Sequence, residues 1–505
     1  MSQLLLELFS EEIPALMQVP AAASLFKSIL SDISAITSEK LCGQHFATPR
    51  RIGFYIDSIP SKIKRSSKEV RGPRVSAAAS AIEGFMIKHG VSSRKSLKTD
   101  DEFFYFVEEE SIEDAGDILK YIIEANLHKL VWPKSMRWGE HSVRWVRPLH
   151  SMLCVLNNEV LPIRYGHISA GNTTRGHRFM ADLLIEANAY KEYENRLSAA
   201  FVTLQPSNRR NIIEEGLLRI ARDHDIELIK DDNLMEEVVG LVEYPVVLLG
   251  KIEKKFMSLP KEVLITSLRI NQRYFMFSNK DGSLAQFFGI VSNTKFKDDS
   301  TVVLGNERVL AARLSDAEFF YSEDSKVNLV DRIEGLKALS FNLQIGSMYM
   351  KMESAVKIAL KIGEQLKYAD STKIKRAMML AKTDLLTEMV KEFPELQGVM
   401  GYYYAIDNGE DMEVAIAIKE HYKPQGPSDL VPESVLGSII AIADKIDTLN
   451  QMFEHHIKPT GSKDPYALRR AAIGINRIMS ERSITIVFDS LDIRDDVINF
   501  IRSKG

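Results

Sequence analysis

All three tryptophans of the chain fall in one stretch, WPKSMRWGEHSVRWVRP, from Trp132 to Pro148. The same stretch carries Lys134, Arg137, Arg144 and Arg147. Guanidinium groups pair with phosphates and aromatic faces stack on unpaired bases, so this interleaving suits nucleic acid. Lys134, Arg137, Trp138, Arg144 and Arg147 are the candidates here. The competing reading makes the tryptophans core anchors and the arginines structural ion pairs. Arg175, His177 and Arg178 in NTTRGHRF form a second basic cluster, and Arg50 and Arg51 in TPRRIGFYI a third. Each small cluster alone reads equally well as a solvated rim.

A different chemistry is suggested further on, by AKTDLLTEMVKEFPELQG (381–398), KEHYKP (419–424) and AIADKIDTL (441–449). An acidic helix, a later His and a distal Asp are the layout of an HD-type metal phosphohydrolase. That chemistry needs a first His, an adjacent His-Asp pair and a distal Asp to hold a divalent ion that activates water. Here Asp384 stands where the pair's Asp would be, Thr383 takes the His position, and Asp444 is the distal candidate. The preceding helix, 349–366, contains no His. Two carboxylates without imidazoles hold a transition metal poorly, so the site reads as degenerate and no metal is expected. His455 and His456 are adjacent and face different sides of a helix. In the segment 458–478, Asp464 reads as an N-cap and Pro465 as the first helical residue. Arg469 and Arg470 lie largely off the buried face, available to phosphates or carboxylates. Gly461-Ser462-Lys463 does not fit a P-loop, which needs Gly, four residues, then Gly-Lys-Ser/Thr after a strand.

The elements that must carry these residues change character along the chain. Leu4–Phe9, 51–59, 103–107, 143–160 (broken at Pro148), 244–249 and 284–291 read as strands. They alternate with helical stretches at 20–36, 75–89, 118–130 and 208–223, the last capped by Ser207. The stretch 305–324 reads as one amphipathic helix with Asn306 as N-cap, and Arg308 and Arg313 on it suit ion pairs. From residue 327 onward the pattern is helical, at 327–340, 348–367, 371–391, 411–421, 433–453 and 465–482.

Composition bounds the class. A chain of 505 residues has room for about three domains. Hydrophobic content of 45%, charged content of 27% and a net charge of −4 are ordinary for a soluble globular protein. Nucleic-acid binding would therefore rest on local patches. Two cysteines, Cys42 and Cys154, rule out a disulfide framework and read as buried free thiols in a reducing compartment. The N-terminus lacks the pattern of a signal peptide, and no apolar run approaches membrane-spanning length. The expectation is a cytoplasmic protein with no membrane contact.

Several long blocks together carry a resemblance. They include LLLELFSEEIPA (4–15), TPRRIGFYI (48–56), MRWG (136–139), RPLH (147–150), GHRF (176–179) and GNERVLAARLSDAEFFYSED (305–324). KTDLLTEMVKEFPELQGVMGYYYA (382–405), ADKIDTL (443–449) and PTGSKDPYALRRAA (459–472) complete the set. The chain resembles the β-subunit family of the bacterial two-subunit glycyl-tRNA synthetases over almost its whole length. The resemblance implies a role that composition does not show. In that family the α subunit carries the class II active site, which uses ATP and Mg2+ to activate glycine, and the β subunit positions tRNA(Gly). Both are needed for charging, and an α2β2 heterotetramer is implied, with no cofactor held by this chain. The implied fold class is α+β multidomain. Mixed α/β modules that meet tRNA occupy 1–325, and an all-α HD-like domain occupies 326–485. Residues 486–505 would begin a C-terminal anticodon-binding region that is truncated or missing here. Two readings from other classes stand beside this one: an HD-type phosphohydrolase and a stand-alone RNA-binding protein.

Overall fold

The computed structural model describes residues 2–37, 39–65, 68–100, 102–108, 111–461 and 463–504; Ser462 of the Gly461-Ser462-Lys463 loop lies outside them. Helix occupies 48% of the chain and strand 19%, in several separate sheets, so the protein is mixed α+β. Two compact units are formed. One comprises Met1–Leu249, Phe277–Ala285 and Gly289–Val303, the other Gly250–Met276, Gln286–Phe288 and Leu304–Gly505.

The first unit is built on a seven-stranded sheet whose middle strand is Ser2–Ser10. LLLELF is an almost unbroken apolar run, the pattern of a strand covered on both faces. It pairs antiparallel with Arg51–Ile59 on one side and Leu149–Leu156 on the other. Cys42–Thr48 extends the sheet beyond Arg51–Ile59, and Ile168–Gly171 adds a parallel pairing to Leu149–Leu156. Side chains alternate across the pleat. Leu4, Leu6 and Leu8 point to a core shared with the helices Ala15–Ser34 and Ala115–Lys129. Leu5 points the other way, to Phe46, Leu153, Tyr193 and Leu197.

Glu7 shares that second face, and its charge decides what surrounds it. It is fully buried, and its carboxylate accepts hydrogen bonds from Thr174 Oγ1 at 2.5 Å and from the Tyr193 hydroxyl. Arg51 Nε lies 3.2 Å from Glu7 Oε2, and Arg51 Nη1 donates to Glu243 Oε1 at 2.5 Å. Arg51 Nη2 donates to the Arg175 carbonyl at 2.8 Å. Burial pushes the Glu7 carboxyl up, although Arg51 opposes the shift. Arg209 is buried in the same unit without a direct carboxylate partner. Its guanidinium donates to the carbonyls of Ala47, Thr203, Leu204 and Val239, and burial lowers its pKa to about 10.

The second unit is predominantly helical, with Val435–Glu454 as its most deeply buried helix. The helix expected at 305–324 begins earlier, at Asp299, and runs to Asp324. Asn306 is therefore inside the helix and accepts from the Tyr274 hydroxyl at 2.6 Å instead of capping. Leu310, Leu314 and Ala317 form its buried face, and Arg313 pairs with Glu392 at 2.9 Å. Arg308 is exposed without an ion pair among the described residues. Asp324 at its end is buried and accepts the amides of Glu388 (3.0 Å) and Met389 (2.9 Å), capping the helix Glu388–Glu392.

Other local expectations change. The stretch expected as a helix at 327–340 is a 3-10 helix, Leu329–Lys337, followed by a short ladder of Ser340–Asn342 with Gly346–Ser347. The region 326–485 is therefore not all helix. The ladder's turn has Gly346 at φ 123°, a conformation open to glycine. The helix at 208–223 starts at Pro206, so Ser207 lies inside it and does not cap it. The helix after the 458–464 loop starts at Leu468, not Pro465. Asp464 still caps it from upstream, accepting the amides of Leu468 and Arg469 at 2.9 Å each. Cys154 is buried, but Cys42 is exposed at the outer end of its strand.

Candidate nucleic-acid interface

The strand expected at 143–160 begins only at Leu149, and residues 133–144 precede it. They form an irregular loop closed by a single bridge between Met136 and Trp145, whose amides and carbonyls bond both ways at 2.8 and 3.1 Å. Two tryptophans anchor the loop: Trp132 and Trp145 are buried and meet edge to face at 5.0 Å. The core-anchor reading therefore holds for these two. Trp138 is half-buried against His167, and that imidazole stacks on His141 at 3.5 Å. Lys134, Arg137 and Arg144 are exposed. Arg144 Nε donates to Ser135 Oγ at 3.1 Å, which fixes the side chain along the loop. Arg147 is half-buried and donates to the Val146 carbonyl. Lys134 and Arg137 have no ion pair among the described residues, so no protein carboxylate competes for them. A cleft of about 430 Å³ opens beside the loop, lined by His128, Trp132, Val143, Arg144 and Tyr165 among others.

A second cleft of about 430 Å³ gathers Arg50, Arg175 and Arg178, which lie far apart in sequence. Phe9, Glu11, His150, Ser151, Thr173, Thr174 and Asp182 complete its walls with Leu184. The end of the central strand brings Phe9 and Glu11, the turn before Arg51–Ile59 brings Arg50, and the ladder Thr173–Arg175 brings Arg175. Arg178 Nη2 pairs with Glu11 at 2.8 Å and Nη1 with Glu12 at 3.3 Å. His150 Nε2 lies 2.8 Å from Glu11 Oε1, and Arg175 pairs with Asp182 at 3.1 Å. Hydrogen bonds from His150 and Arg178 hold the Glu11 carboxyl below its ordinary value despite partial burial.

Not every basic candidate reaches this surface. Arg51 is fully buried, its charge taken up by Glu7 and Glu243, because a strand covered on both faces leaves no route to solvent. His177 is also buried, and its Nδ1 accepts the amides of Phe179 and Met180 at 3.3 Å each. In the second unit Arg470 is exposed, with Nη1 3.4 Å from the Gln425 carbonyl, and Arg469 is half-buried. Arg477 is committed to Glu481 and to the carbonyls of Gly426 and Asp429.

The two acidic positions of the HD-like pattern are occupied by protein groups. Asp384 is buried in the 3-10 turn Thr383–Leu386, and its Oδ2 accepts the amides of Gly398 (2.5 Å) and Gly401 (3.0 Å). Its other oxygen is buried without a partner, and burial raises its pKa to about 6. Asp444 is met by ammonium groups: Lys351 Nζ at 2.5 Å and Lys382 Nζ at 3.2 Å. These cations hold the Asp444 carboxyl far below the carboxylate range. Lys351 also lies 3.4 Å from Asp447, and Lys445 donates to the carbonyls of His421, Tyr422 and Lys423. Among the described residues no group of three or more His, Cys, Asp or Glu side chains is arranged to hold a metal ion. Sequence reasoning weighed the carboxylates and missed the lysines, although ADK at 443–445 and AKTD at 381–384 display two of them.

Residues 4–497 match the family model for the glycyl-tRNA synthetase beta subunit. A glycine–tRNA ligase beta subunit from Rickettsia felis is 42% identical over 499 residues, covering 97% of this chain and 74% of the relative. Its counterparts from Rickettsia peacockii and Rickettsia canadensis are each 42% identical over 506 residues, covering 99% of this chain and 74% of the relative. The chain belongs to the glycyl-tRNA synthetase β-subunit family.

Proposed function

We propose that this chain is the tRNA-holding subunit of a two-subunit glycine–tRNA ligase, working with a separate catalytic subunit that activates glycine. The single observation that carries the reading is 42% identity to glycine–tRNA ligase beta subunits over 97% of the chain. In this reading the active site, with ATP and Mg2+, belongs to the α subunit, the assembly is an α2β2 heterotetramer and its place is the cytoplasm. No helix among the described residues is long and apolar enough to cross a membrane, which is consistent with that place.

The surface we assign to tRNA is that of the first unit, through Lys134, Arg137, Arg144, Arg147, Arg175 and Arg178, with Trp138 available for stacking. The exposure of Lys134 and Arg137 without carboxylate partners supports this, since a phosphate then meets no internal competitor. Arg469 and Arg470 are secondary candidates. We read the helical unit as HD-like in ancestry and structural in role, because the ammonium groups of Lys351 and Lys382 already neutralise Asp444. Residues 486–505, which include the helix Asp495–Arg502, would lead toward the anticodon-binding region. Reconstitution tests the reading: the purified chain and the catalytic subunit are assayed for glycine charging separately and together. Charging only in the mixture is the expected result. Charging by the catalytic subunit alone at the same rate, or phosphodiester hydrolysis by this chain that Asp384→Ala abolishes, would refute it.

A further inference from the structure

The cleft that gathers Arg50, Arg175 and Arg178 contains a cation with no direct ion pair among the described residues. Arg50 is only 8% exposed, yet its guanidinium has no ion pair and no hydrogen-bond partner among the described residues. It lies 4.6 Å over the ring of Phe9, a contact that supports a cation without neutralising it. Buried charges in proteins are ordinarily paired. Burial, first, and the nearby Arg178 charge lower the Arg50 pKa by more than the attraction of Glu11 and Glu243 raises it. Across the cleft, Arg178 and His150 share one carboxylate, that of Glu11, at 2.8 Å each. Hydroxyl groups of Ser151 and Thr173 line the same space.

We propose that this cleft is a phosphate-binding site, in which a phosphoryl group pairs with Arg50 and takes the place of Glu11 on Arg178. Two guanidinium groups and an imidazole around one cavity suit a tetrahedral anion with several acceptor oxygens better than a single planar carboxylate. About 430 Å³ is ample room for the phosphate of a nucleotide with part of its sugar. Glu11 is the internal stand-in for the ligand: it pairs directly with Arg178 and His150 and attracts Arg50 only from a distance. The phosphate can come from an RNA backbone or from a free phosphate compound. Only the first source rests on the function proposed above.

The test uses the full chain and two substitutions that act in opposite directions. Inorganic phosphate is titrated by calorimetry into the wild type, Glu11→Gln and Arg50→Met at constant ionic strength. Phosphate binding that Glu11→Gln tightens several-fold and Arg50→Met abolishes is the expected result. Glu11 is partly exposed, so its variant reports even where Arg50→Met fails to fold. The same proteins are then titrated with tRNA(Gly) over a salt series. Weaker tRNA binding by Arg50→Met, with a log–log salt slope reduced by about one, assigns the site to an RNA phosphate. Unchanged tRNA binding beside altered phosphate binding assigns it to a free phosphate compound. No phosphate binding by the wild type, or binding insensitive to Glu11→Gln, overturns the site. That failure leaves glycine charging by the mixed subunits intact, whereas loss of the function reading appears only in the charging assay.

Discussion

Arg51 offers the sharpest separation between an arginine that binds RNA and one that holds the fold. Replacing it with Met removes the ion pairs to Glu7 (3.2 Å) and Glu243 (2.5 Å) and the hydrogen bond to the Arg175 carbonyl (2.8 Å). Glu7 and Glu243 are 0% and 2% exposed, so water cannot replace the guanidinium. Removing one member of a buried ion pair costs about 3–5 kcal/mol, and the orphaned carbonyl adds about 1 kcal/mol. Against a typical total of about 5–15 kcal/mol for a domain, Arg51→Met should lie at the edge of folding. Urea unfolding followed by tryptophan fluorescence reads the correct unit, because Trp132, Trp138 and Trp145 all lie within it. Arg51→Lys keeps a charge but cannot span both carboxylates, and should recover only part of the loss. The triple variant Arg51→Met, Glu7→Gln, Glu243→Gln should recover more, since no buried charge is left unpaired. Glu7 already titrates above its ordinary value, and losing Arg51 raises it further. An acid whose folded pKa is raised is destabilising when ionised, and that cost falls as pH drops through the folded pKa. The Arg51→Met penalty should therefore shrink as pH falls from neutrality toward the ordinary carboxylate range. A loss below about 1 kcal/mol at pH 7 would show that the network is not structural.

Four further outcomes follow from the same geometry. Arg137→Ala combined with Arg144→Ala should weaken tRNA(Gly) binding and reduce its log–log salt slope by about two, read by filter binding; an unchanged slope removes these residues from the interface. Asp324→Ala strips the amides of Glu388 and Met389 of their acceptor and should cost about 2 kcal/mol by far-ultraviolet circular dichroism, with an unshifted melting curve as the contrary result. Asp384 has its pKa raised to about 6, so its ionisation opposes folding in full above that value, and the opposition fades as pH falls from there through the ordinary value of 3.8. Asp384→Asn should erase this pH dependence and gain most over wild type above about pH 6, with the gain shrinking toward the ordinary value, and a persistent slope would assign it to another group. Gly437→Ala should destabilise the helical unit, because its Cβ would stand 2.4 Å from Glu420 Oε2, which accepts the amide of Ser434 while Oε1 accepts that of Glu433; a thermal melt indistinguishable from wild type contradicts that.

Much of this architecture is legible in sequence where one force dominates. LLLELF can only be a strand covered on both faces, and Glu7 within it marks a buried charge that requires a partner. Arg51 is that partner, yet TPRRIG reads as a basic dipeptide because nothing local says which arginine faces inward. The pairing of Phe9 with Arg51 across two strands settles it, and register between distant strands is invisible to local pattern. Gly305-Asn306 reads as a helix start because both residues are poor helix formers. The helix runs through them because tertiary contacts outweigh their propensity, and no side chain or backbone approaches the space a Cβ at Gly305 would fill. Residues 143–148 read as the start of a strand, but the Trp145 ring serves the core and the backbone there is held only by an isolated bridge to Met136. The cleft residues were visible one by one. Glu11 and His150 drew no attention as its walls, since a carboxylate and an imidazole 139 positions apart carry no shared signal until the sheet joins them.

The placement of Ser2–Ser10 sets a clock on biosynthesis. This strand is made before both of its neighbours, Arg51–Ile59 and Leu149–Leu156. Until the latter leaves the ribosome, one long edge of an intensely apolar strand has no pairing partner, and Glu7 lacks the hydroxyl groups of Thr174 and Tyr193. At about 5–20 residues per second, that interval lasts on the order of ten seconds. An open apolar edge is the feature that recruits other chains. Newly made N-terminal fragments of this protein should therefore be held by chaperones until the sheet closes, and fragments ending before residue 149 should aggregate where longer ones remain dispersed.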